Sequence, residues 1–230
     1  MTRLVLIAVA IATSLFVAGC GSKDTATESI SAASSSEATS SSAAATTSAE
    51  AEAEAETDAP DGSVNQYLEE NGVTRIHILA NTPDVPQPDV TLPAGWSDMG
   101  GSDKVWGSIA LTETKDSPDP AMILIGYSKF DGEVDQAKLL QLAPNTVTAM
   151  PDYEGPETAT PIKVSGFDAV TIAGKAVDEG KPVFVGVTEV MIPRQDGVYE
   201  MLFMAHGPVD QEAAITQAMS VLNNETRLAP

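Results

Sequence analysis

One thiol, two imidazoles and 33 carboxylates are the groups in this 230-residue chain with the most obvious chemistry. The thiol, Cys20, is the only cysteine, so no intramolecular disulfide is available. His77 and His206 are far apart in the chain, and neither stands in a zinc-ligand spacing. Each reads as a surface or strand histidine. Gly126-Tyr127-Ser128 looks like the start of a nucleophile elbow, but position 130 is Phe where that turn needs Gly, and the pattern fails. There is no P-loop and no Gly-x-Gly-x-x-Gly phosphate cradle. Asp131-Gly132-Glu133-Val134-Asp135 lacks the calcium-loop pattern and reads as a turn and helix start. The acids Asp116/Asp119 and Asp152/Glu154/Glu157 fall in loop-like sequence and read as solvated charge; carboxylate-dependent hydrolysis remains the least favoured alternative. The expectation is a protein without catalytic residues, bound metal or cofactor.

Cys20 is placed for another reaction. Arg3 gives the N-terminus a positive charge, and Leu4 to Val17 is apolar except for Thr13 and Ser14. That run is short of the ~20 residues needed to cross a hydrocarbon core, but suits the central region of a secretory signal. Val17-Ala18-Gly19-Cys20 resembles the bacterial lipobox, in which the thiol takes a diacylglyceryl group and the chain is cut just before the cysteine. The alternative is a plain signal peptide with a chance cysteine. The lipobox reading makes residues 1–19 a cleaved signal peptide and Cys20 a lipidated anchor on the extracytoplasmic side of the cell membrane. Each acyl methylene buried there contributes ~0.8 kcal/mol.

Residues 22–61 are mostly Ser, Thr, Ala, Glu and Asp, with Ile30 the one large aliphatic side chain and no aromatic. Such a segment cannot bury enough apolar area to offset its ordering entropy, and is expected to be disordered. Glu50–Glu54 and Glu52–Glu56 repel at helical spacing. The stretch 20–61 is therefore read as a lipidated Cys plus a linker, spanning roughly 32–38 Å root-mean-square as a flexible coil. O-glycosylation of its Ser/Thr clusters is a second reading. Residues 1–61 hold nine acids and two bases, leaving 24 acids and ten bases in 62–230, a net charge of −14 out of −21 for the whole chain. That balance argues against nucleic acid and against lying flat on anionic lipid, both of which attract basic faces.

Residues 62–230 read as one globular domain. Ser63 is placed to cap a helix carrying Val64, Tyr67 and Leu68, ended by Asn71-Gly72. Strands are expected over 73–78, 105–111, 122–127, 167–176, 183–192 and 198–205, with a short edge strand near Val90 and Leu92 in a proline-rich loop. Helical turns are expected over 135–142 and 145–150. The last helix, from near Asp210 to Asn223, has its apolar stripe at Ala214, Ile215, Ala218, Met219 and Leu222. By alternation Met201 and Phe203 share one sheet face, and Leu202 and Met204 the other. If both faces are apolar, both are covered. Three strands linked by hairpins, with helices at intervals, predict an α+β fold with helices packed on an antiparallel sheet.

Several blocks carry a family likeness: Gln66-Tyr67-Leu68-Glu69-Glu70-Asn71; Leu92-Pro93-Ala94-Gly95-Trp96; Ser128-Lys129 with Asp131-Gly132, Asp135, Ala137-Lys138 and Leu140-Gln141-Leu142-Ala143-Pro144; then Gly166-Phe167 and Ile192-Pro193. With the lipobox and linker, these resemble the LpqN/LpqT family of actinobacterial lipoproteins over about residues 64–227. The resemblance implies a PsbP/Mog1-type α/β/α sandwich, an antiparallel sheet with helices on both faces. It also implies a non-catalytic, membrane-anchored lipoprotein of the cell envelope that binds an envelope lipid, a glycolipid or an envelope export or assembly protein. A pure protein–protein adaptor is the alternative. No catalytic motif comes with the resemblance, and the only functional residue it transfers is Cys20, as the lipidation site.

Overall fold

The first described helix begins where a side chain can replace a missing backbone partner. The structure is a computed structural model and describes residues 62–229. The signal peptide, Cys20 and the linker expected over 1–61 lie outside the described residues. Ser63 Oγ accepts from the Gln66 amide at 3.1 Å and starts α1 (Val64–Glu70). Asn71 ends it, and Gly72 follows at φ 65°. Asp135 does the same for α2 (Gln136–Leu142), accepting from the Lys138 amide at 3.1 Å. A short α3 (Asn145–Thr148) follows directly, and α4 (Glu212–Glu225) comes after a 3₁₀ turn at Val209–Gln211.

Eight strands form one antiparallel sheet. They are β1 (Thr74–His77), β2 (Trp96–Asp98), β3 (Gly107–Leu111), β4 (Met122–Asp131), β5 (Thr160–Val164), β6 (Phe167–Asp178), β7 (Lys181–Arg194) and β8 (Gly197–Pro208). The order is β2-β3-β4-β8-β7-β6-β5, with β1 beside β3 on the free edge of β4. Two-residue turns set the register of two hairpins. Ser165-Gly166 joins β5 to β6 and Glu179-Gly180 joins β6 to β7, all four residues at positive φ. This backbone hand matches the twist of the strands it connects.

Alternation sends the side chains of the central strands into two apolar layers. On one face Ile123, Phe203 and Val190 lie beneath Ile215, Ala218 and Leu222 of α4. On the other, Phe130 and Met191 meet Leu68 of α1 and Leu139 of α2, while Val185 and Val187 meet Val147 of α3. The α+β fold with an antiparallel sheet stands as expected, and Met201 and Phe203 are buried under α4.

Three expectations need correction. There is no strand at Val90 and Leu92; only Asp89 bridges to Arg227, because Pro86, Pro88 and Pro93 remove the donors a ladder needs. Trp96–Asp98 and Thr160–Val164 are edge strands where none was expected. The face carrying Leu202 and Met204 is covered only in part: Leu124, paired with Met204, is 37% exposed, and Met99, whose amide donates to the Ser108 carbonyl, is 49% exposed.

Ile215 is fully buried between α4 and the sheet. Ile215→Ala is expected to lower unfolding free energy by about 2–5 kcal/mol, read from the urea midpoint, whereas exposed Ser220→Ala should stay within about 0.5 kcal/mol.

Candidate functional site

Two acids stand inside the strands that are otherwise the most apolar. Glu189 of β7 and Glu200 of β8 point to the α1–α3 face and are 2% and 3% exposed. The β7–β8 register pairs Glu189 with Leu202 and Glu200 with Met191, so the two carboxyls are diagonal neighbours, within reach of long side chains. Arg75 of β1 donates from Nη2 to Glu200 Oε1 at 3.0 Å and from Nη1 to Asn65 Oδ1 of α1 at 2.8 Å, with its guanidinium carbon 5.7 Å from the Phe130 ring centre. One guanidinium thus serves two buried acids, and Glu189 Oε1 has no hydrogen-bond partner.

Burial raises the affinity of both acids for a proton. For Glu189 it is followed by repulsion from Glu200, with Arg75 opposing. For Glu200 it is countered by the charge and hydrogen bond of Arg75. Of the two, Glu189 is pushed more strongly toward its neutral form, while Arg75 favours the charged form of Glu200.

Ser128 and His77 extend this row toward the edge of the sheet. Ser128 faces Glu200 in the β4–β8 register, and its Oγ lies 3.4 Å from His77 Nδ1. As a catalytic pair they are poorly disposed. Ser128 is 3% exposed, and the carboxylate opposite it is held by Arg75. Burial, then Arg75 and Lys104, hold His77 below the usual imidazole range, whereas a triad carboxylate favours the imidazolium. The Gly126-Tyr127-Ser128 segment is the middle of β4, not a strand-to-helix turn.

The acids expected to be solvated are so: Asp116, Asp119, Asp152, Glu154 and Glu157 are all exposed. His206 is exposed and pairs with Asp178 at 3.1 Å. Among the described residues no group of three or more His, Cys, Asp or Glu is set to hold a metal ion, and no helix is long and apolar enough to cross a membrane. Cys20 lies outside the described residues. On the α4 face, Tyr127 stacks on Tyr199 at 5.9 Å, and the Arg194 guanidinium carbon lies 4.5 Å from the Tyr199 ring centre. Lys129 and then Tyr199 hydrogen-bond Asp196 and hold its carboxyl down to about 2.

One concavity lies beside the buried acids. A groove of about 770 Å³ runs between the outer flank of α2–α3 and the β5–β6 edge, within the size range of ordinary ligand pockets. Its apolar lining includes Ala137, Leu140, Pro144, Ala159, Pro161 and Val170. Its polar lining includes Gln141, Asn145, Glu157 and Asp168 and contains no Lys or Arg; Lys163, which bonds Asp168 at 2.5 Å, is outside the lining.

Solved structures and sequence relatives agree on where such a fold belongs. The structure superposes on the crystal structure of LpqN, described as involved in cell envelope biogenesis of Mycobacterium tuberculosis, with a TM-score of 0.70 and 26% identity, covering 75% of this chain and 100% of that one. Lipoprotein LpqN of Mycobacterium tuberculosis (strain ATCC 25618 / H37Rv) is 28% identical over 172 residues, 74% of this chain and 75% of that protein. The family model described as probable lipoprotein LpqN matches residues 60–229, and the chain belongs to this lipoprotein family. These relatives are named as lipoproteins, not as enzymes.

Stability should follow the acids with a definite sign. Because the folded Glu189 and Glu200 hold protons more tightly than unfolded ones, stability is full below the ordinary carboxyl range and falls as pH rises through their folded values. Glu189→Gln keeps the shape but cannot titrate, so it should flatten this slope in urea denaturation. Arg75→Met leaves the buried Glu200 without its partner, so that it must take up a proton or stay buried as a lone charge, and should cost about 3–5 kcal/mol at neutral pH.

Proposed function

We propose that the chain is a non-catalytic lipoprotein, anchored outside the cell membrane through acylated Cys20, whose groove between α2–α3 and β5–β6 holds an envelope lipid or glycolipid during cell-envelope biogenesis. The observation that carries this reading is the groove: an apolar floor beside amides and carboxylates, with no cation in its lining. Aliphatic side chains there suit acyl chains. Gln141, Asn145 and the two acids suit hydroxyl groups, and nothing in the lining favours a phosphate. The involvement of the relative LpqN in envelope biogenesis supports the biological setting.

A second reading, a protein adaptor without a small ligand, draws on the partly uncovered apolar row Met99, Leu124 and Met204. Methionine-rich faces adapt to varied partners.

The chain with Cys20→Ser, expressed in an actinobacterial host, tests the groove. Native mass spectrometry should find a co-purifying lipid or glycolipid, lost by at least about tenfold when Ala159→Trp or Leu140→Asp obstructs the groove. A clean protein mass after incubation with envelope lipid extract would favour the adaptor. Cell fractionation tests the anchor: Cys20→Ser should move the protein from the membrane to the soluble fraction, since acylation supplies the insertion energy.

A further inference from the structure

We propose that the buried Glu189–Glu200 pair is a proton-operated latch for the α2–α3 cover, so that loss of one proton loosens the wall of the ligand groove. The observations are positional. Met191 and Val187, on either side of Glu189 along one face of β7, are covered by Leu139 of α2 and Val147 of α3. Glu189 therefore lies beneath the α2–α3 junction. The outer flank of that segment, through Ala137, Leu140, Pro144 and Asn145, walls the groove. One short stretch of chain is at once the lid of the acid pair and the side of the groove.

The charge count makes the lid sensitive. Two acids, each almost wholly buried, meet one guanidinium, which of the two bonds only Glu200. Toward the pair, β1 presents Arg75 with His77 two residues on, β4 presents the hydroxyl of Ser128, and β6 presents Val170 opposite Glu189 with the exposed Asp168 diagonal to it. From α1 the neutral Asn65 reaches it through Arg75; α2 and α3 cover it with Leu139 and Val147, Lys138 of α2 being exposed. With one proton, Glu189 is neutral. Without it, two carboxylates share Arg75 in an apolar layer, where Glu189 Oε1 has no hydrogen-bond partner. Relief comes from water, and the α2–α3 cover must lift to admit it. At seven and four residues, α2 and α3 are far shorter than the fourteen-residue α4 and easier to move. Rising pH thus loosens the groove wall and releases ligand, while α4, on the opposite face, stays closed.

The effect on ligand rests on the groove reading above; the motion of the lid does not. Hydrogen exchange on the full chain at about pH 6 and about pH 9, a span that covers documented buried glutamates, separates the two. Rates are normalised to each amide's intrinsic rate. Protection over 136–148 should fall roughly tenfold with rising pH, that of α4 should hold, and Glu189→Gln should abolish the change. Equal loss in α4, or the same loss in Glu189→Gln, would overturn the latch. The side-chain carboxyl ¹³C resonance of Glu189 in the unmodified protein gives a check independent of the variant, and must titrate in the window where protection falls. Nile red, an uncharged apolar dye, reports the groove. Its affinity should drop with protection in the unmodified protein and stay level in Glu189→Gln. Dye that binds at neither pH would sink the groove reading while leaving the exchange result to decide the latch.

Discussion

The central strands β4, β8 and β7 are apolar on both faces, and that double burial governs the rest of the structure. Ile123, Phe203 and Val190 need a cover on one side; Phe130, Met191 and Val187 need one on the other. The fourteen residues of α4 lie along the first face, a rod of about 21 Å. The second face has only seven, seven and four helical residues, in α1, α2 and α3. Short helices cannot roof a sheet of this width. They leave a groove against β5–β6 at one end and the exposed side chains of Met99 and Leu124 at the other. Both candidate binding surfaces follow from the same shortage of helix.

Placing two acids and an arginine in that thin layer works against stability taken alone, because apolar residues of similar size would cost nothing to desolvate. The cluster makes connections that apolar side chains would not. Arg75 ties β1 to β8 through Glu200 and to α1 through Asn65, joining the first helix and an edge strand to the middle of the sheet. β1 is only four residues long and pairs with β4 alone, so a directional bond fixes its register where packing is sparse. On the opposite face, Lys129 and Tyr199 converge on Asp196 and hold the β7–β8 turn against β4. The polar contacts sit where the hydrophobic pattern specifies position least.

The long hairpins were legible because their signals are local. Period-two alternation and turn residues put β6, β7 and β8 close to their true positions, and the last helix was evident from Ile215, Ala218 and Leu222. Edge strands were not legible. Trp96–Asp98 is three residues long, and Thr160–Val164 begins against a proline; each owes its conformation to a neighbour far away in sequence. The site was half legible. Glu189 in Val187-Thr188-Glu189-Val190-Met191 and Glu200 in Tyr199-Glu200-Met201 are lone acids in apolar runs, and by alternation Glu189 faces the same way as Val187 and Met191. That pattern is the signature of a buried charge. Its partner Arg75 lies 125 residues from Glu200, and no pattern in the chain announces the pairing. The groove arises from the spacing of α2–α3 and the β5–β6 edge, a tertiary quantity that no local sequence carries.

Charge limits which ligands the proposed groove suits. The folded residues belong to a stretch with a net charge of −14, and the groove lining adds carboxylates and no cation. A phosphate headgroup approaching that lining meets repulsion and finds no guanidinium to offset its desolvation. The same field opposes adhesion to an anionic leaflet, which favours an acylated cysteine as the membrane contact over the protein surface. If the groove binds a lipid as proposed, recognition would come from apolar burial and from neutral hydrogen bonds, neither of which salt screens. An uncharged amphiphile would satisfy both, with its chain against Leu140 and Val170 and its hydroxyls near Gln141 and Asn145. On the proposed reading, attachment and recognition are separate: the first falls to the acyl group of Cys20, the second to a groove whose charge disfavours anionic lipids.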